Sequence, residues 1–460
     1  MMYNWDIIQH SFRAKDIRGV FGKDLFPDLI SKASTIFANI VQENGGKKVA
    51  VSGDGRTSSQ VLMLSVAAGI AAAGLDVSLY PMLPINIANY AIWKGPYDGG
   101  AYVTASHNPP EWNGVRYRRA DGTGFTFENK IIKNRFKNNE VKWADWDKIG
   151  SIYFMDEKEI LDDYLSFAKS VVPTPNKSLR IVLDTRNGIG GKGIPELFSI
   201  HHRVITINAQ IDGSFQAGHP DPVDTDISST IEAVKSAKAD FGIVFDGDGD
   251  RGVVIDENGK KVPSESIGIL LAENLLKSGD IVVANLECSS IVRERLEERG
   301  IKVIDAIVGD VFISEKIKEV NAKLAVENSY HMFLPLYGFY YDDVALAELV
   351  LASIIANENK PLSKLVEPIG NFVVLRENIE VPEDKKWLIA DKIKEKFLQM
   401  FDEVVTIDGV KVYFERSSVL IRPSNTEPLI RIIIDARSYE EALELMKKYK
   451  RFVIDIKESV

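Results

Sequence analysis

With 460 residues the chain is too long for one ordinary hydrophobic core, and three or four domains are expected. Hydrophobic residues at 45% and charged residues at 27% mark a globular chain, and no apolar run approaches the roughly 18 residues needed to cross a bilayer. A net charge of −10 argues against nucleic acid as the main partner, and a single cysteine, Cys288, excludes an internal disulfide framework.

The first residues lack a basic stretch followed by an apolar one, so a cytoplasmic protein is expected. Phe12 to Gly19 then places Arg13, Lys15 and Arg18 within six residues, which suits either a solvated face or an anion clamp. Lys48 to Gly53 reads as a buried strand, Ser58 to Ala73 as a helix, Asp76 to Tyr80 and Gly99 to Val103 as further strands. Such alternation implies a mixed or parallel sheet with helices packed on it. The last of these strands ends in Thr104-Ala105-Ser106-His107-Asn108-Pro109-Pro110. Proline forbids helix continuation there, so the Ser106 hydroxyl sits at a turn where it can face a ligand.

From Lys130 to Asp163 the pattern is polar and helical, and it marks the exit from a first domain. A strand over Leu179 to Asp184 is followed by Gly188-Ile189-Gly190-Gly191-Lys192-Gly193, which has dinucleotide-binding spacing. Pro195 early in the next helix and the absence of an acidic residue after strand Arg203 to Ile207 favour a plain tight turn. The apolar strand Phe241 to Phe245 runs into Asp246-Gly247-Asp248-Gly249-Asp250-Arg251. Carboxylates at alternate positions are hard oxygen ligands for a divalent cation. An EF-hand loop, with Glu257 at its twelfth position, is disfavoured because Arg251 occupies the place that needs glycine and the flanks read as strands. A third strand-helix unit leads through Lys323 to Val326 into Glu327-Asn328-Ser329-Tyr330-His331, a hydroxyl-binding and acid–base set at a strand end. From Asn371 onward strands at Asn371 to Leu375, Glu403 to Ile407, Val410 to Phe414, Ser418 to Ile421 and Leu429 to Ile434, with two helices, suggest a smaller antiparallel α+β domain. Its turn Arg422-Pro423-Ser424-Asn425-Thr426-Glu427-Pro428 has the makings of a phosphate cradle.

Four loops thus supply a hydroxyl nucleophile, a metal site, a hydroxyl reader and a phosphate clamp, which together describe phosphoryl transfer on a phosphosugar. In these motifs, and in their order along nearly the whole chain, the sequence resembles the α-D-phosphohexomutases, and within them the phosphomannomutase/phosphoglucomutase group. The resemblance implies three related α/β domains and a C-terminal domain of TATA-binding-protein-like topology around one cleft, with boundaries at 1–150, 151–256, 257–368 and 369–460. It implies a phosphoserine at Ser106 and one Mg²⁺ per subunit held by Ser106, Asp246, Asp248 and Asp250. Glu327, Ser329, Arg422, Ser424, Asn425, Thr426, Arg431 and His107 would contact substrate, and Arg18, Arg116, Arg251 and His331 would act at the reaction centre. The implied activity interconverts the 1- and 6-phosphates of mannose or glucose through a hexose 1,6-bisphosphate, in a monomer or homodimer that uses neither nucleic acid nor membrane. Phosphoglucosamine mutase and a non-catalytic sugar-phosphate binder are the alternatives. Two positions depart from the family pattern. Arg116 stands where a lysine is usual and cannot act as a base, which shifts that role toward His331. Tyr330 stands where a glycine is usual and is expected to add bulk beside the sugar reader.

Overall fold

The computed structural model describes residues 5–424 and 427–460. The chain packs as two compact units, Met1–Val262 with Ser329–Ser363, and Pro263–Asn328 with Lys364–Val460. All three changes of unit fall within the segment 257–368.

The first unit contains two sheets. Strands β1 (Ile17–Val20), β2 (Lys48–Gly53), β3 (Asp76–Leu79), β4 (Gly99–Val103), β5 (Trp112–Arg119) and β6 (Ile152–Phe154) lie in the order β1-β5-β4-β2-β3-β6. β2 runs parallel to β3 and β4, and β5 runs antiparallel to β4 and β1. Helices Pro27–Glu43 and Ser59–Ala72 cover this sheet, and Leu29, Ile36, Phe37, Val66 and Ile70 are fully buried in its core. The second sheet has β7 (Arg180–Asp184), β8 (Arg203–Ile207), β9 (Phe241–Phe245) and β10 (Gly252–Asp256) in the order β10-β9-β7-β8. β9 is buried throughout, as a strand covered on both faces must be, and it returns antiparallel as β10.

In the second unit β11 (Ile281–Asn285) lies between β12 (Lys302–Ala306) and β13 (Leu324–Val326), parallel to both. The C-terminal sheet is antiparallel, with β14 (Val373–Glu380), β15 (Val410–Tyr413), β16 (Ser418–Pro423) and β17 (Leu429–Ala436) in the order β14-β17-β16-β15. Buried polar contacts fasten it to the loop after β11. Asp435 accepts from the Ser290 N–H at 2.9 Å and from the Ser289 hydroxyl at 3.0 Å, and the Lys411 ammonium donates to the Leu286 and Cys288 carbonyls at 2.8 and 2.9 Å.

Several local expectations need correction. Glu403 to Ile407 forms no strand: it makes a single bridge, Val405 to Lys411, because exposed Asp402 and Glu403 precede it and the Asp408-Gly409 turn follows at once. The stretch Lys130 to Asp163 is not uniformly helical, since the three exposed residues of β6 add an edge strand too short to register as a period. The glycine-rich turn forms a single 3₁₀ turn, Ile189–Gly191, and only a six-residue helix follows. Cys288 is a free, buried thiol.

Phe245, the last residue of β9, is fully buried at the base of the acidic loop. Phe245→Ala should lower the unfolding free energy by about 3–5 kcal/mol, read by urea denaturation; a change below about 1 kcal/mol would contradict this packing.

Candidate active site

Ser106 follows β4 in the left-handed region, at φ 51°, and is only 4% exposed. Such a conformation persists in a non-glycine residue only where the surroundings over-determine it. Here they do. The Ser106 N–H donates to the Thr104 hydroxyl at 2.7 Å, and the Arg56 guanidinium donates to the carbonyls of Ser106, Asn108, Pro109 and Trp112 at 2.6, 2.7, 2.6 and 3.1 Å. Arg56 is itself fixed by Asp54 at 3.0 Å. Arg18 adds bonds to the Ala105 carbonyl at 3.0 Å and the Asn108 amide oxygen at 2.9 Å while paired with Asp16. Of the three early cations, Arg18 therefore belongs to the serine loop, and Arg13 lies over the Trp112 ring.

The loop between β9 and β10 brings Asp246, Asp248 and Asp250 together, all buried, with one carboxylate oxygen from each within 4.8 Å of the others. Ser106 joins them: its hydroxyl donates to Asp246 Oδ2 at 3.4 Å. Glycine is required at 247, where a Cβ would stand 2.8 Å from the Ser106 carbonyl oxygen, and Gly249 takes φ 83°. Asp246 accepts from the Gly249 and Arg251 N–H groups at 2.9 and 3.3 Å, and Asp248 accepts from Thr104 at 2.9 Å. Burial, reinforced by Asp250 and Asp248, pushes the Asp246 carboxyl well above its usual range, and burial with the charge of Asp250 pushes Asp248 up to about 7. Burial acts on Asp250 in the same sense, but His331, Arg116 and Arg251 outweigh it and hold Asp250 well below. Asp248 Oδ1, fully buried, accepts no hydrogen bond among the described residues. Hard oxygen donors at this spacing, strained toward protonation and with a lone pair unused, fit a divalent cation such as Mg²⁺. The EF-hand alternative fails on its flanks, which are strands, and Glu257 accepts from the Ser363 N–H at 3.2 Å.

Asp250 links this loop to two further candidates. Arg116 from β5 reaches Asp250 Oδ2 at 3.2 Å, and His331 Nε2 lies 3.4 Å from Oδ1. His331 Nδ1 contacts the Ser329 hydroxyl at 2.9 Å, and Asp342 joins Asp250 and His331 in a second buried cluster. Arg251 lies 3.7 Å from Asp221. His107 Nδ1 is 3.1 Å from the Ser106 hydroxyl, and burial together with Arg251 and Arg18 lowers its pKa to about 2, so it is neutral. Tyr330, expected to add bulk beside Ser329, instead turns its ring into the apolar core of the second sheet.

The second unit carries the remaining candidates. The buried Glu327 carboxylate accepts from Asn285 at 3.0 Å and from the Gly309 N–H at 2.9 Å. Arg422 and Arg431 are direct partners across β16 and β17, an arrangement of like charges that favours an anion nearby. Arg422 pairs with Glu287 at 3.0 Å and Asp408 at 2.5 Å, and Arg431 with Glu427 at 2.8 Å. The buried Ser424 donates its N–H to the Leu429 carbonyl at 2.9 Å. Asn425 and Thr426 lie outside the described residues.

Sequence reasoning did not single out Asp54, Arg56 and Thr104, which hold the serine and acidic loops in register. The Thr104 hydroxyl lies 2.8 Å from Asp54 and 2.9 Å from Asp248, joining two strand ends that are far apart in the chain. The only available signal was an Asp-x-Arg pair at the end of an apolar strand.

A buried serine hydroxyl beside a carboxylate cluster that fits a cation suits an enzyme of the phosphoryl-transfer class. The comparisons agree: residues 9–142, 162–259 and 263–372 match phosphoglucomutase/phosphomannomutase alpha/beta/alpha domains I, II and III, and residues 377–451 match the C-terminal domain of the same family. The chain belongs to this family, the α-D-phosphohexomutases, and is an enzyme of intramolecular phosphoryl transfer. A probable phosphoglucosamine mutase of Methanopyrus kandleri is 30% identical over 455 residues, covering 97% of this chain and 99% of that protein. A phosphoglucomutase/phosphomannomutase of Thermococcus kodakarensis is 30% identical over 440 residues, covering 94% and 95%. A crystal structure of a phosphoglucomutase/phosphomannomutase family protein from Burkholderia thailandensis superimposes with a TM-score of 0.90 at 28% identity, covering 98% of both chains. Among the described residues no helix is long and apolar enough to cross a membrane.

Arg56→Ala would strand the buried Asp54 carboxylate and free four carbonyls, and it should destabilise the protein by about 3–5 kcal/mol in urea denaturation; a loss below about 1 kcal/mol would count against the network. Because the cation competes with protons at Asp248, whose pKa is raised to about 7, Mg²⁺ affinity should weaken as pH falls through that value and strengthen above it. Calorimetry between about pH 6 and about pH 8 should also detect proton release on binding, and a flat profile would contradict the coupling.

Proposed function

We propose that Ser106 is the phosphate carrier of a hexose-phosphate mutase, with glucosamine phosphate as its foremost substrate. The observation that carries the chemistry is the 3.4 Å contact between the Ser106 hydroxyl and Asp246 inside the buried aspartate cluster. On this reading the phosphoryl group leaves Ser106 Oγ as its P–O bond breaks and a new P–O bond forms to a sugar hydroxyl. That hydroxyl loses its proton to a base while the departing Ser106 Oγ takes one up, giving a hexose 1,6-bisphosphate and a free serine hydroxyl. The bisphosphate turns over, and its other phosphate returns to Ser106.

His331 is the base candidate. Arg116 is paired with Asp250 and keeps its proton, so it serves by charge alone. Arg18 and Arg251 supply further positive charge at the phosphoryl oxygens, and preorganised charge of this kind carries most of the barrier reduction in phosphoryl transfer. A cation held by Asp246, Asp248 and Asp250 would withdraw charge from the same oxygens. Glu327 and Ser329 would read sugar hydroxyls. Arg422, Ser424, Asn425, Thr426 and Arg431 would hold the phosphate that stays on the sugar.

Support for glucosamine comes from the names of relatives, several of which, such as those of Methanopyrus kandleri and Methanothermobacter thermautotrophicus, are called probable phosphoglucosamine mutases at 30% and 32% identity. Glucose or mannose phosphate is the second reading, supported by the Thermococcus kodakarensis phosphoglucomutase/phosphomannomutase.

Purified enzyme should be one phosphate heavier than its sequence by intact mass, and hexose phosphate should remove that mass. Ser106→Ala should abolish it and cut mutase turnover by more than about a thousandfold; unimpaired turnover would refute Ser106 as carrier. Side-by-side kcat/KM values for the 1-phosphates of glucosamine, glucose and mannose decide the sugar, and a clear preference for glucose or mannose would overturn the glucosamine assignment.

A further inference from the structure

Tyr330 occupies a glycine-type position in the turn between two proposed site residues, Ser329 and His331. Its φ is 69°, in the left-handed region that a bulky aromatic side chain rarely adopts. A conformation of this kind survives only where other contacts outweigh its strain. The contacts are specific. The ring is 5% exposed and packs in a cluster with Val182, Val244, Val253 and Ile255. Its hydroxyl donates to the Val262 carbonyl at 3.0 Å, and the Lys261 ammonium lies 5.3 Å from the ring centre.

The anchor point matters because of what it is joined to. The Val262 N–H donates to Val254 of β10 at 2.9 Å, and Lys261 bridges to Ile255 of the same strand. β10 is one arm of the hairpin whose tip carries Asp246, Asp248 and Asp250. The turn holding His331 is therefore fastened to the hairpin that holds Asp250, the residue His331 faces at 3.4 Å. With glycine at 330 the backbone would keep its allowed geometry but lose both the ring and the hydroxyl bond, leaving the imidazole to wander relative to the acidic loop.

We propose that Tyr330 is a positioning residue for His331, setting the imidazole against the acidic loop through the β9–β10 hairpin. The proposal rests on the reading that His331 works at the reaction centre. Displacements of about 1 Å at a reacting group can lower turnover by up to about a hundredfold, so even partial loosening is measurable.

The test is a double-mutant cycle on the full-length, phosphorylated, Mg²⁺-loaded enzyme, with hexose 1-phosphate as substrate. Tyr330→Gly should lower kcat about tenfold while KM changes by less than about twofold, and Tyr330→Phe, which keeps the ring, should lose only about threefold. In a His331→Ala background the Tyr330→Gly effect should vanish. Undiminished kcat in Tyr330→Gly, or the same fold loss with and without His331, would overturn the positioning role. If Tyr330→Gly fails to fold, the comparison is made with Tyr330→Phe, whose full kcat would equally overturn it. Should His331→Ala match the parent enzyme, the assignment of His331 itself is wrong and the positioning role falls with it. A slow His331→Ala beside an unimpaired Tyr330→Gly would sink only the positioning role.

Discussion

The repulsion among Asp246, Asp248 and Asp250 is the constraint on which the site is built. Three carboxylates in a buried loop cannot all be ionised without compensation, because low polarity magnifies their mutual repulsion as it does any unscreened charge. The chain compensates unevenly. Asp250 faces His331 and Arg116 and stays ionised, whereas Asp246 and Asp248 are left short of positive charge. A divalent cation would relieve that imbalance, beside the Ser106 hydroxyl that lies 3.4 Å from Asp246.

Holding such a loop against the serine requires a stiff frame, and the frame is a set of buried charged side chains in unusual service. Arg56 spends its guanidinium on backbone carbonyls of the serine loop, with Asp54 fixing its direction and Thr104 bridging Asp54 to Asp248. Their bonds reach the Ser106 backbone and not its hydroxyl. Their burial makes them intolerant of truncation, since removing either member of the Arg56–Asp54 pair leaves an unsatisfied charge in the interior. The left-handed Ser106 and Tyr330 turns are strained in the same sense, and each is held by a bond it donates, from the Ser106 N–H to the Thr104 hydroxyl and from the Tyr330 hydroxyl to the Val262 carbonyl.

Membership of the phosphohexomutase family follows from matches along nearly the whole chain, and Arg116 and Tyr330 are the two positions expected to depart from the family pattern. An arginine at 116 cannot exchange a proton, so the proposed mechanism gives the base role to His331. Tyrosine for glycine exchanges a free turn for an anchored one. In the second unit the C-terminal sheet is bound to the loop after β11 by Asp435 and Lys411, so it does not stand as an independent body.

Much was legible from the chain alone, where the signal was local. The Thr104 to Pro109 turn, the Asp246 to Asp250 loop and the Arg422 to Pro428 turn are each contiguous, and the alternation of apolar strands with helices announces an α/β architecture without any coordinates. What escaped notice was of two kinds. Short or arginine-rich strands, such as β6 and β5 with Arg116, Arg118 and Arg119, lack the hydrophobic period on which such reading depends. Long-range partners escaped as well: nothing in the order of residues says that Arg56 meets the serine loop 50 positions on, or that Tyr330 turns into the core instead of the sugar reader. Motif chemistry is written in neighbouring residues, whereas pairing, burial and the direction of a side chain are set only when strands distant in the chain are laid side by side.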